Sequence, residues 1–146
     1  MERGASVATA ESLTGGQLAA LLTAAPGASA TFLGGVVSYA TDVKLDVLGV
    51  DPGLVERHGV VSVECARAMA GGVRALMGAT YAVSTTGVAG PERQEDKPPG
   101  TVYVGVAGPD GDTALSLELV GGRAAIRDRT CEEALSALEG ILREGG

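Results

Sequence analysis

The sequence predicts an α/β protein: a three-layer α/β/α sandwich around a mixed sheet that includes one antiparallel hairpin. Three observations carry that expectation. Strand-like stretches at ASVAT (5–9), GGVVSYA (34–40) and TYAVSTTG (80–87) alternate with helical patterns. Ala66, Met69, Ala70, Val73, Leu76 and Met77 recur at i, i+3, i+4, i+7, i+10 and i+11, which is the stripe of a helix facing a core. TVYVGVAG and TALSLELV, joined by the turn PDGD, read as an antiparallel hairpin. No internal repeat or linker divides the 146 residues, so residues 1–146 are expected to form one domain with an ordinary core.

The first strand runs into the turn ESLTGG. Thr14 and Gln17 fit the S/T-x-x-E/Q capping box, which starts a helix at Thr14. Leu18, Leu21, Leu22 and Ala25 give that helix its apolar face, and Pro26-Gly27 stops it. After the second strand a short helix is expected from Asp42 to Leu48, ending at Gly49 before the turn VDPG. Ser62 caps the next helix, with Glu64 favourably placed in its first turn. The third strand leads into the loop VAGPERQEDKPPG, and the hairpin follows. Residues Arg123 to Glu144 close the chain as a helix with its stripe at Cys131, Ala134, Leu135, Leu138, Ile141 and Leu142.

Composition narrows the function. Hydrophobic residues at 45% and charged residues at 20% describe a globular chain rather than a disordered one. A formal charge of −7, with three Tyr, one Phe and no Trp, argues against binding nucleic acid or an anionic membrane surface. Any anionic ligand must then be held by a local device. No apolar run approaches the roughly 18 residues that span a bilayer, and Met1-Glu2-Arg3 has no signal-peptide layout, so a cytoplasmic protein is expected. Cys65 and Cys131 lie in separate helical segments and read as small buried apolar residues; with a single His, no metal site is expected. Ala- and Val-rich helix surfaces suggest a homo-oligomer.

The chemistry gathers near Ser12. If Thr14 caps the helix, the N–H groups near Gly15, Gly16 and Gln17 point out of its end and form an anion site. Ser12 sits two residues ahead, either as a turn serine bonding to backbone or as a nucleophile beside that site. A nucleophile needs a base. His58, in ERHGVVS, falls between predicted elements and reads as a solvated loop residue. A desolvated lysine can lose its proton at neutral pH, whereas arginine cannot. The chain has nine Arg but only Lys44 and Lys97. Lys97, in QEDKPPG, reads as a loop charge. Lys44, just past the 34–40 strand, can share with Ser12 the rim where neighbouring strands end and ligands commonly bind, or can lie on the surface.

Other polar residues map to the same rim. Tyr39 is next to last in its strand, and Ser29 lies in the PGAS turn. In TTGVAGP (85–91), Thr86, Gly87 and Gly90 allow backbone to approach a ligand closely. Arg123 and Arg127, one helical turn apart, could clamp a phosphate. Each also has a plainer reading as cap, core, loop or solvated charge.

TAESLTGG, PGAS, GGVVSYATDVK, LGV, HGVVS, AxxMAxG, STTGVAGP and KPPGTVYV occur in this order. Over about residues 6 to 143 the set resembles the CinA C-terminal domain family, which includes stand-alone nicotinamide mononucleotide deamidases of the PncC type. The resemblance implies a Ser/Lys amidohydrolase that converts nicotinamide mononucleotide and water to nicotinate mononucleotide and ammonia, without cofactor or metal. It implies Ser12 as nucleophile, Lys44 as general base and Tyr39 near the dyad. Thr14, Gly15, Gly16 and Ser29 match substrate-pocket positions, and Arg123 matches a phosphate-holding arginine. Two stretches depart from the family pattern: ERQED replaces a glycine-rich continuation after AGP, and GGR stands where GDR is usual. The nucleotide-processing domain of longer CinA proteins is expected to be absent. The rival readings are a non-catalytic nucleotide-binding or partner-docking module and a hydrolase of a different amide.

Overall fold

The computed structural model describes residues 4–28 and 31–145. Ten elements follow in order: β1 (Val7–Glu11), α1 (Gln17–Ala24), β2 (Phe32–Val37), α2 (Thr41–Asp46), α3 (Pro52–His58), α4 (Val63–Met77), β3 (Tyr81–Gly87), β4 (Thr101–Gly108), β5 (Gly111–Glu118) and α5 (Arg123–Gly145). The five strands form one sheet in the order β2-β1-β3-β4-β5. β1 lies parallel to both β2 and β3, while β3–β4 and β4–β5 are antiparallel, so the expected mixed sheet and its hairpin are present.

Alternation along the strands sorts the core into two layers. Ala8, Ala10, Ala82 and Ala107 face one side and pack with Met69, Ala70 and Val73 of α4. Val83, Val102 and Val104 face the other, against Leu18 of α1 and Ile126, Cys131 and Ala134 of α5. The first layer is built from small side chains because α4 lies close to the sheet. A Cβ on Gly105 would stand 2.2 Å from the Ala66 carbonyl oxygen, so β4 can pass under the helix only with glycine there. Ser62 caps α4 as expected, its hydroxyl oxygen accepting from the Cys65 N–H at 3.1 Å.

Boundaries shift where local signals compete. β1 begins two residues later than ASVAT suggests and continues to Glu11. β2 ends at Val37, which frees residues 38–40 to turn into α2 at Thr41. α3 was not expected: the pair Asp51-Pro52, read as a turn, starts a helix. Asp51 Oδ1 accepts from the Gly53 N–H, and Pro52 occupies the first helical position, where a missing N–H costs nothing. His58 therefore closes a helix instead of sitting in a loop, with Nδ1 3.7 Å from Glu64 Oε1. No helix among the described residues is long and apolar enough to cross a membrane.

Candidate active site

The parallel strands β2, β1 and β3 end at one rim, and the chain turns sharply after each. Ser12 follows β1 directly, and its N–H donates to the Thr85 carbonyl at 3.0 Å, which pins the nucleophile candidate to β3. After β2, Ser38 N–H donates to the Glu11 carbonyl at 2.7 Å, and α2 then carries Lys44 back under the rim. Lys44 is 1% exposed. Its Nζ lies 3.0 Å from Ser12 Oγ, and it donates to the carbonyls of Ser38 (2.7 Å) and Tyr39 (3.3 Å). Two of the amine's hydrogens thus have backbone acceptors, leaving its third position aimed at the serine.

Burial holds the Lys44 amine below the usual lysine value of 10.5, while Cys65 and Glu95 nearby offset part of that effect. Burial also pushes the Cys65 thiol up to about 11, against an opposing pull from Lys44, so it remains a thiol at neutral pH. Cys131 is pushed to about 12, again chiefly by burial. Both cysteines act as small core residues.

The mouth of α1 departs from expectation. The helix starts at Gln17 behind Gly16, whose φ is +104°, and no capping box forms. Glu11, 1% exposed, occupies the helix end instead. Its Oε1 accepts from the Thr14 hydroxyl (2.5 Å), Gly16 N–H (3.2 Å) and Leu18 N–H (2.8 Å), and its Oε2 accepts from Ala19 N–H (2.9 Å). The N–H groups of Gly15 and Gln17 go to the carbonyls of Ser12 and Thr14. The expected anion site is therefore filled by the chain's own carboxylate. Thr14, fully buried, spends its hydroxyl proton on Glu11 and approaches Thr85 Oγ1 at 2.8 Å. Arg127 does not flank the ligand space with Arg123; its Nη2 donates to the Thr14 carbonyl at 3.1 Å and braces the same turn.

A cavity of about 430 Å³ opens above the Ser12–Lys44 pair, within the range of small-molecule sites. Tyr39, Thr86, Gly87, Gly90 and Arg123 line it as the sequence suggested, whereas Thr14, Gly15 and Gly16 do not. Ser29 lies outside the described residues. The Thr86 hydroxyl donates to the Val60 carbonyl at 2.8 Å and shapes the wall. Tyr39 is 60% exposed; its backbone carbonyl accepts from the lysine, and its hydroxyl accepts from Arg123 Nη2 at 3.1 Å. Arg123 Nη1 donates to the Gly90 carbonyl at 2.6 Å.

The match to the CinA C-terminal domain model extends over residues 1–142. The chain belongs to the CinA C-terminal domain family. A CinA-like protein of Frankia casuarinae is 54% identical over 142 residues, covering 97% of this chain and 33% of that protein. The chain spans about a third of the length of the curated relatives it matches. Among solved structures, the competence damage-inducible protein A (ComA) of Klebsiella pneumoniae superposes with a TM-score of 0.93 at 35% identity, over 97% of this chain and 88% of that one. The competence/damage inducible protein CihA of Agrobacterium tumefaciens gives 0.90 at 37% identity, over 94% and 86%.

Three residues of this CinA-family site escaped the sequence reading. Glu11 is one; its signal was an acid placed directly before a glycine-rich helix mouth. Ser38, whose carbonyl holds the amine, has no side-chain signature because its backbone does the work. Glu95, in the divergent ERQED stretch, accepts from the N–H groups of Val60 and Val61 at 2.9 Å each.

Proposed function

We propose that this CinA-family domain is a Ser/Lys amidohydrolase that deamidates nicotinamide mononucleotide to nicotinate mononucleotide and ammonia. The observation that carries the reading is the buried Lys44 amine 3.0 Å from Ser12 Oγ, with two backbone carbonyls fixing its direction. The substrate rests on the family resemblance together with a cavity that offers Arg123 to a phosphate.

In this mechanism neutral Lys44 takes the Ser12 proton as Oγ attacks the carboxamide carbon. The helix mouth cannot hold the developing oxyanion, because Glu11 and local carbonyls use its donors. Leu13 N–H takes that role: it adjoins Ser12, its residue lines the cavity, and it has no acceptor among the described residues. The tetrahedral intermediate collapses, Lys44 returns its proton to the departing nitrogen, and ammonia leaves an acyl-serine ester. Water then gives a proton to Lys44 and attacks the ester; Ser12 recovers the proton as the nicotinate product leaves.

Ammonia release from nicotinamide mononucleotide by purified protein tests the proposal. Lys44→Arg keeps a long nitrogen-bearing side chain but one that cannot act as a base, so substantial residual turnover would eliminate the mechanism. Binding of the mononucleotide without ammonia release would favour the non-catalytic module.

A further inference from the structure

The loop that closes the cavity is folded against its local preferences. Gln94 and Lys97 pair as an isolated antiparallel bridge, with Gln94 N–H donating to the Lys97 carbonyl (3.1 Å) and Lys97 N–H returning the bond (2.9 Å). The two residues between them, Glu95 and Asp96, both have positive φ, +53° and +61°. That backbone favours Asn-Gly, and here two full side chains adopt it. The Glu95 carboxylate supplies the restraint: it docks on Val60 and Val61 N–H in the link between α3 and α4. Gly59 leaves room for it, since a Cβ there would come within 2.4 Å of Glu95 Oε1. Lys97 Nζ adds a looser contact, 3.8 Å from the same oxygen.

The latched tip sets residues 91–94 as one wall of the cavity. Arg93 is on that wall and Arg123 of α5 also lines the cavity. Arg93 spends one of its five N–H donors on the Asp96 carbonyl, and neither arginine has a carboxylate partner among the described residues. Glu92 is the carboxylate lining the same space, suited to a cationic ring. A chain of net charge −7 has placed two unpaired guanidiniums on one small cavity. That is a local device for an anion.

We infer that Arg93, on a hairpin held in place by Glu95, is a second phosphate-holding residue that works with Arg123 and selects phosphorylated amides over their nucleosides. The inference rests on the proposed amidase reading and specifies its substrate class. It also gives the ERQED departure a purpose: the divergent loop contributes a grip that is absent from a glycine-rich one.

Nicotinamide mononucleotide and nicotinamide riboside are compared in ammonia-release and calorimetric binding assays on wild type, Arg93→Ala, Arg93→Lys and Glu95→Ala. In Arg93→Ala the preference for mononucleotide over riboside should fall by roughly 10- to 100-fold, the loss of one charge-assisted contact. Arg93→Lys should keep part of it, and Glu95→Ala should lose a smaller part by freeing the hairpin. An unaltered preference in Arg93→Ala, or a wild type that does not prefer the mononucleotide, overturns the inference. Wild type that releases no ammonia yet binds the mononucleotide through Arg93 would sink the amidase reading alone.

Discussion

The floor and the wall of the cavity are built by opposite means. On the floor, Ser12 and Lys44 lie in a hydrogen-bonded network that runs through Glu11, Thr14, Ser38 and Thr85. The wall, residues 91–97, is largely exposed, carries two residues in left-handed backbone and is moored by one carboxylate. The proposed proton transfer tolerates little displacement, which an over-determined floor meets; the proposed anion grip works over a longer range, so the wall can diverge in sequence while the floor stays intact.

The largest effect is expected on the floor. Lys44→Arg should lower kcat by about 10²- to 10⁴-fold or more, and Ser12→Ala at least as much. The double variant should be scarcely worse than either alone, as expected for groups acting as one unit. Losses that simply multiply in steady-state assays would break the picture of a coupled pair.

Acid sensitivity should also reside there. In the proposed mechanism the active form is neutral Lys44, so kcat/KM should climb as pH rises through a midpoint below 10.5. Stability follows the same sign: the unfolded chain binds the proton more readily between the folded value and 10.5, so stability increases with pH across that window, by up to about 1.4 kcal/mol per unit. Lys44→Met, which fills similar space without titrating, should flatten this slope in denaturant titrations. An unchanged slope would assign the pH dependence to other groups.

Glu11→Ala should cost about 2–4 kcal/mol of stability, because it strands the α1 donors and the buried Thr14 hydroxyl at once. For a domain of this size that is roughly a 5–15 °C drop in Tm. A loss below about 0.5 kcal/mol, the level of an ordinary surface change, would show that water replaces the carboxylate.

The backbone of the wall's turn should answer most weakly. Asp96→Gly removes a side chain from a φ of +61°, and should raise stability by about 0.5–1 kcal/mol. Calorimetry showing destabilisation instead would mean that Asp96 makes the turn rather than tolerating it.

What the sequence disclosed follows the same division. Ser12 and Lys44 were legible as candidates because strand ends in α/β sheets converge on one rim and because lysine is rare in this chain, while the choice of the pair over a turn serine and a surface lysine rested on the family resemblance. The amphipathic stripe of α4 and the hairpin were legible because periodicity reports burial directly. The anion site at α1 misled for a physical reason: free N–H groups predict an acceptor, but nothing local says whether a ligand or the chain's own Glu11 provides it. α3 was missed because Asp-Pro opens both turns and helices, and only packing beyond it decides. The role of Glu95 needed the α3–α4 link, 34 and 35 residues away, to be in place.

Arg123 and Arg127, at the start of the last helix, reach back to the first third of the chain at Tyr39 and Thr14. A chain synthesised only to residue 122 already contains Ser12 and Lys44, yet it lacks the Arg127 brace on the turn after Ser12 and the Arg123 side chain on the cavity. The cavity wall and the turn that carries Ser12 are complete only once α5 has packed onto the sheet.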